Sequence, residues 1–404
     1  MEFMNQPLTG QLGERLIELL DSSDYHTLNI AVAFAKNSGV LRIKDSLSRF
    51  RERGGIVNVY VGVDLGGTSY EALNALLCCS NSLNVIHFEN YKTFHPKIYQ
   101  FIGDDNRLII VGSHNLTGGG LWTNFESSVI ISLEGMNSNE EQFVRDLDNY
   151  FNSLTQLSNS IMSINTKDDI ETLLENGYTF KEIAERVRLA KTSPSGVSGS
   201  LFSHSISATL PPIATQDSET TQTISLNPAT IPLSEEMDTI WFETRSLTGG
   251  SRNILDLSMR SLVECGNPTG TPFDIGEPGF MRGGVEFFGI NPTDTDSSKN
   301  ITINFEGVDY AGNKILFPRG ELANGSWRLQ IKGINASGTK ITETFRAISE
   351  EDYLVRKIIT FTKIEDDYYS ITVFPESTLE EFKAASRILA RNGSIRTAKW
   401  LGLL

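Results

Sequence analysis

His95-Pro96-Lys97, Gly112-Ser113-His114-Asn115 and Asn124-Phe125-Glu126 follow one another in a single short stretch of the chain. Together they supply an imidazole, an ammonium, a hydroxyl, an amide and a carboxylate. Those are the groups needed to attack a phosphodiester without a metal. The diester's charge repels nucleophiles, and its leaving alkoxide must be protonated. An enzyme therefore has to bring a nucleophile, donors around the non-bridging oxygens and a proton donor on the far side. Imidazole is a nucleophile when neutral and an acid when protonated, with an ordinary pKa of about 6.5.

The surrounding pattern predicts how these groups are positioned. Alternation in Thr93–Phe101 predicts a strand with His95, Lys97 and Tyr99 on one face. Lys97 then stands beside His95, where an ammonium can hold a phosphate oxygen. Leu108–Val111 reads as the next buried strand, and Gly112-Ser113 as a tight turn presenting Ser113 and Asn115 as neutral donors. Glu126 opens a strand over Ser127–Leu133, where its carboxylate is placed to fix the tautomer and orientation of His95. Gly103-Asp104-Asp105-Asn106 reads as a hairpin turn.

These residues resemble the signature of the phospholipase D superfamily, H-x-K followed by G-S-x-N and a downstream acidic residue. The resemblance implies an α/β nuclease-type domain over residues 1–160. It makes His95 the nucleophile of a phosphohistidine intermediate, Lys97 and Asn115 the phosphate ligands, Ser113 an assistant and Glu126 the group that orients the histidine. Ile102 stands where many members carry an aspartate. The superfamily uses two H-x-K copies, and this chain has one. None of His26, His87, His114 or His204 is followed two residues later by lysine. A two-fold homodimer that places both His95 rings on one phosphate site is the economical solution. No metal cofactor is implied.

Composition bounds this reading. The 404 residues suffice for two domains with their own cores. A net charge of -15 demands that any contact with a polyanion be local. Cys78, Cys79 and Cys265 have no metal-binding spacing and form no disulfide framework. No apolar run approaches the ~20 residues of a spanning helix, and the first residues lack a leader pattern, so a soluble, cytoplasmic protein without membrane contact is expected.

Before the motif, helices over Gly13–Asp21, Ser38–Gly54 and Tyr70–Cys79 alternate with strands over Thr27–Ala35, Ile56–Val63 and Leu83–Phe88, an α/β layer pattern. The turn Gly66-Gly67-Thr68-Ser69 fits a helix N-cap better than a phosphate cradle. Glu140–Leu154 closes the domain as a helix. Residues 161–235 read as a helical segment plus a Ser/Thr/Pro-rich linker. Leu173–Ala184 there resembles a helix-turn-helix, either structural or DNA-reading.

From residue 236 to 404 short β-type runs dominate: Gly284–Ile290, Asn300–Phe305, Trp327–Gly333, Ile341–Ala347, Lys357–Lys363 and Tyr368–Val373, with a closing helix near Thr378–Arg391. The spacing suggests a barrel. This half resembles the B3-like DNA-binding pseudobarrel, which grips the major groove with two arms. Arg245, Ser246, Thr248, Ser251, Arg252 and Asn253 would form one arm, and Asn335, Ser337 and Lys340 the other. Arginine can read guanine bidentately and asparagine adenine. Arg328 reads as a structural ion-pair former.

Taken together, the halves resemble the metal-independent restriction endonucleases of the superfamily. That implies a sequence-specific endonuclease acting on double-stranded DNA. There is no Gly-x4-Gly-Lys-Ser/Thr loop, so any ATP would have to be used by a separate helicase-like partner. Two rivals use the same residues: a phosphatidyl hydrolase or transferase, and a non-catalytic DNA-binding module that dimerises through the H-x-K domain.

Overall fold

Two compact units make up the computed structural model, one built on Met1–Glu185 and the other mainly on Pro228–Leu404. The structure describes residues 1–89, 92–135, 137–192, 210–211, 238–245, 252–319, 325–349 and 353–404.

The first unit runs β1 (Glu2–Gln6), α1 (Leu12–Asp21), β2 (Thr27–Val32), α2 (Asn37–Glu52), β3 (Ile56–Gly62), α3 (Tyr70–Cys79), β4 (Ser82–Ile86), β5 (Lys97–Ile102), β6 (Asn106–Gly112), β7 (Glu126–Glu134), α4 (Ser138–Leu154), β8 (Ile161–Ile164) and α5 (Lys167–Glu175); α6 (Glu182–Thr192) follows. Its sheet has the order β1-β7-β6-β5-β2-β3-β4-β8. Parallel pairing of β2 with β3 and β3 with β4 follows from their near-continuous apolar runs: Ile30, Val59 and Val61 are fully buried. On one face Phe151 and Leu154 of α4 pack with Ala31, Tyr60, Ile86 and Phe94. The other carries the crossover helices α2 and α3, with α1 beside them. Ser69 caps α3 by accepting from the Ala72 N–H at 3.1 Å, as the turn's composition suggested.

One local expectation is corrected here. The strand read from Thr93 begins only at Lys97, so His95 lies on the irregular approach to β5. β1 and β8 were not legible. β8 extends the sheet beside β4, and α5 packs on α3.

The second unit runs β9 (Thr239–Glu243), β10 (Ile254–Leu257), β11 (Arg260–Cys265), β12 (Phe280–Arg282), β13 (Ser298–Phe305), β14 (Val308–Leu316), β15 (Trp327–Gln330), α7 (Ile341–Ile348), β16 (Lys357–Glu365), β17 (Tyr368–Pro375), α8 (Leu379–Ala385), β18 (Ile388–Arg391) and β19 (Trp400–Leu403). These strands form one sheet, β10-β15-β14-β13-β17-β16-β9-β19-β18-β11-β12. Its core includes Phe242, Phe288, Trp327, Phe361 and Tyr369. Among the described residues β10 and β12 end this order without pairing to each other, so the expected barrel is not closed.

Three of the segment assignments here also change. Ile341–Ala347 is helical: Ile341 and Phe345, four apart, share the buried face, and the Glu343 carboxylate accepts from the Lys340 N–H. Gly284–Phe288 is a 3-10 turn closed by Gly289 at φ 73°, whose N–H donates to the Glu286 carbonyl. The closing helix stops at Ala385, and Ile388–Arg391 turns back into the sheet as β18.

Candidate active site

Register assembles the motif at one end of the first sheet. Val32 pairs with Lys97, Ile98 with Val111, Gly112 with Ser128 and Gln6 with Glu126. The C-terminal ends of β2 and β6 thus meet the N-terminal ends of β5 and β7. Gly112 is needed for close approach rather than for a turn: a Cβ there would lie 2.2 Å from the Ser127 carbonyl oxygen.

Phe34, which the sequence reading missed, joins the two halves of the motif. Its N–H donates to Asn115 Oδ1 at 3.2 Å, and its carbonyl accepts from the Leu116 N–H at 3.0 Å. Its ring meets the exposed His95 ring edge-on, with centroids 5.5 Å apart. One residue earlier, the Ala33 N–H donates to the Pro96 carbonyl at 2.9 Å. With the Asn115 oxygen held by a backbone donor, its NH2 remains to serve a ligand.

Lys97 stands beside His95 as expected, with Nζ 2.6 Å from His95 Nδ1 and 3.2 Å from the His95 carbonyl. Burial lowers the Lys97 pKa from its ordinary value, while the Glu126 carboxylate opposes that shift. Tyr99, on the same strand face, is wholly buried and donates to the His114 carbonyl at 3.2 Å.

Glu126 is placed differently from the expectation. At the first position of β7 its carboxylate faces Ser113, and it accepts from the Ser113 hydroxyl and from Asn124 Nδ2 at 3.3 Å rather than from His95. Ser113 also accepts from the Ser127 N–H at 3.1 Å. Its proton is spent on Glu126, so within the chain Ser113 fixes the carboxylate instead of standing ready as a donor. His114, between them, is structural. Its Nδ1 lies 2.8 Å from the Gly120 carbonyl, and burial lowers its pKa.

In the second unit the candidate arm residues fall into two groups. Arg252 and Asn253 lead into β10, and the Asn253 carbonyl accepts from the Ile331 N–H just after β15 at 2.9 Å. β10 and β15 are antiparallel, with Ile254 opposite Gln330. The segment carrying Arg252 and the one leading to Asn335 therefore leave the sheet at the same end. Asn335 is committed to its own turn, its Oδ1 accepting from the Thr339 N–H and the Ser337 hydroxyl, each at 2.8 Å. Lys340 is exposed at the start of α7. Arg245 stands apart, paired with Glu243 at 3.2 Å and donating to the Thr397 carbonyl. Ser246, Thr248 and Ser251 lie outside the described residues. Arg328 lies 3.8 Å from Asp256, in the structural ion pair anticipated for it.

Residues 16–155 match the family described as cardiolipin synthase, PLD-like domain. Among solved structures, the chain is similar to Nuc, a phospholipase D family member from Salmonella typhimurium, at 19% identity and a TM-score of 0.31, covering 41% of this chain and 97% of that one. NucT from Helicobacter pylori is similar at 15% identity and a TM-score of 0.28, with 40% and 98% covered. Phosphatidylserine synthase from Haemophilus influenzae is similar at 12% identity and a TM-score of 0.33, with 47% and 45% covered. None of the curated proteins matches the chain in sequence. No helix among the described residues is long and apolar enough to cross a membrane.

Proposed function

We propose that the chain is a metal-independent, sequence-specific DNA endonuclease that cuts phosphodiesters through a phosphohistidine on His95. The observation that carries this is the convergence of His95, Lys97 and Asn115 around Phe34 at one sheet end. Lys97 and the Asn115 NH2 hold the non-bridging oxygens, and Ser113 and Glu126 brace that end of the sheet. The DNA reading of the second unit, as a B3-like module, draws support from the shared exit of the Arg252 and Asn335 segments.

One histidine cannot be nucleophile and leaving-group acid at once, so the second imidazole comes from a second copy of the chain. A surface for that copy adjoins the site. Phe3, Val129 and Val111 form a cross-strand row on β1, β7 and β6, 66%, 38% and 42% exposed, and Phe125 beside Glu126 is 64% exposed. Catalytic turnover by a monomer in light scattering would end the dimer reading.

The test is digestion of plasmid DNA in EDTA with wild-type and His95→Ala protein. Discrete fragments from the wild type alone support the proposal. Turnover of a phosphatidyl substrate without DNA cleavage would assign the site to lipid, and specific DNA binding without cutting would leave a binding module.

A further inference from the structure

Asp64 follows β3 at the same end of the sheet, and no motif residue accounts for how it is held. Its side chain is 9% exposed, and both oxygens are occupied. One accepts from His87 Nδ1 at 2.8 Å. The other accepts at 3.2 Å from the N–H of Phe94, the buried residue immediately before His95. His87 is itself anchored: its backbone N–H donates to the Ser160 carbonyl, its Nε2 lies 3.7 Å from Glu89, and its ring meets Tyr178 edge-on. The turn that aims Asp64 is strained. Leu65 has φ 57° yet is 87% exposed, so its burial does not repay the left-handed conformation. Lys36 Nζ holds the turn by donating to the Gly66 carbonyl at 3.0 Å.

His95 lies outside any strand, and its segment needs more than the Ala33–Pro96 bond to keep the ring at a fixed height. We propose that Asp64, oriented by His87, is the positioning carboxylate of that segment. It pins the Phe94 N–H and so sets His95 against the phosphate. This rests on His95 being the nucleophile. Asp64 touches no reacting atom. Its effect falls on the attack step rather than on substrate affinity, because a misplaced nucleophile costs rate while Lys97 and Asn115 still bind.

The experiment measures hydrolysis of bis(p-nitrophenyl) phosphate in EDTA, together with amide hydrogen exchange, for wild type, Asp64→Ala, Asp64→Asn and His87→Gln. Asp64→Ala is expected to lose about 10- to 100-fold in kcat with KM held within about twofold. Asp64→Asn, which keeps an acceptor for the Phe94 N–H, recovers most of the rate, and His87→Gln falls between. The Phe94 amide exchanges at least about tenfold faster in Asp64→Ala, while the amides of β3 and β5 keep their protection. An unchanged kcat in Asp64→Ala, an Asn variant no better than Ala, or unchanged exchange at Phe94 would overturn the proposal. A wild type with no phosphodiesterase activity would remove the nuclease reading instead, and the exchange data would still decide whether Asp64 fixes the His95 segment.

Discussion

The two units hold their candidate residues in different ways. In the first, Lys97 and Glu126 open strands and His95, Ser113 and Asn115 lie within three residues of strand ends that the register brings together: Val32 opposite Lys97, Gly112 opposite Ser128. In the second, they sit on loops. There Asn335 spends its oxygen on its own turn and Arg245 is paired with Glu243, while the Arg252 segment shares an exit with the Asn335 segment. Chemistry on phosphorus needs atoms fixed to a fraction of an ångström, which sheet ends provide. Base reading tolerates and often needs loops that adjust to the duplex. The division predicts that substitutions in the first unit alter every substrate alike, whereas those in the second alter only which DNA is chosen.

The largest effect should come from His95→Ala, expected to reduce cleavage of both plasmid and bis(p-nitrophenyl) phosphate by at least about 10⁴-fold. Equal activity on the small diester would break the comparison at its centre. Next come Lys97→Ala and Asn115→Ala, each expected to cost about 10²–10³-fold as a lost donor to the developing charge. A loss confined to DNA would instead move these residues into the recognition apparatus.

How much of this was legible follows the same line. The H-x-K, G-S-x-N and acidic residues could be picked out as candidates because attack on a phosphodiester would call for those residue types, and the apolar run Leu108–Val111 had clear strand character. Phe34 and Asp64 were not readable. Each meets the motif segment through a hydrogen bond to a backbone N–H between residues distant in sequence, and neither residue type signals such a contact. The engagement of Glu126 by Ser113 was missed because the spacing shows that a carboxylate is near the site, not which neighbour it faces. In the second unit Ile341–Ala347 was read as a strand, since a short apolar run has no clear period. Only the burial of Ile341 with Phe345 separates helix from strand there.

A smaller effect sharpens the other side of the comparison. Arg252→Ala should lower discrimination between a preferred site and random DNA by about 5- to 150-fold, the ~1–3 kcal/mol of a bidentate base contact. Hydrolysis of the small diester should stay unchanged. If affinity for random DNA already equals that for any defined site at ~0.15 M salt, the second unit is no reader.

The smallest effect concerns stability. Glu71 is buried and accepts from the Glu182 N–H at 3.1 Å. The Glu182 carboxylate in turn accepts from the Ser69 hydroxyl and the Asn37 N–H, each at 2.7 Å. Burial, with the Glu182 charge adding to it, pushes the Glu71 carboxyl up to about 7. Because that lies above the ordinary value of 4.5, the folded state holds the extra proton between the two. Its stabilising contribution is complete below 4.5 and is lost as pH rises through 7. Melting temperature should therefore fall by a few degrees between pH 5 and pH 8, and Glu71→Gln should flatten that slope. A slope left intact by the substitution would show that other groups set it.

The central claim is a covalent bond between His95 and phosphorus. Rapid quenching of a reaction with a phosphodiester in EDTA, followed by peptide mass spectrometry, tests it directly. The account predicts an acid-labile phosphoryl adduct on the peptide containing His95, formed at a rate at least equal to kcat and absent from His95→Ala. Steady turnover with no adduct on that peptide, or with the adduct on another residue, would contradict it.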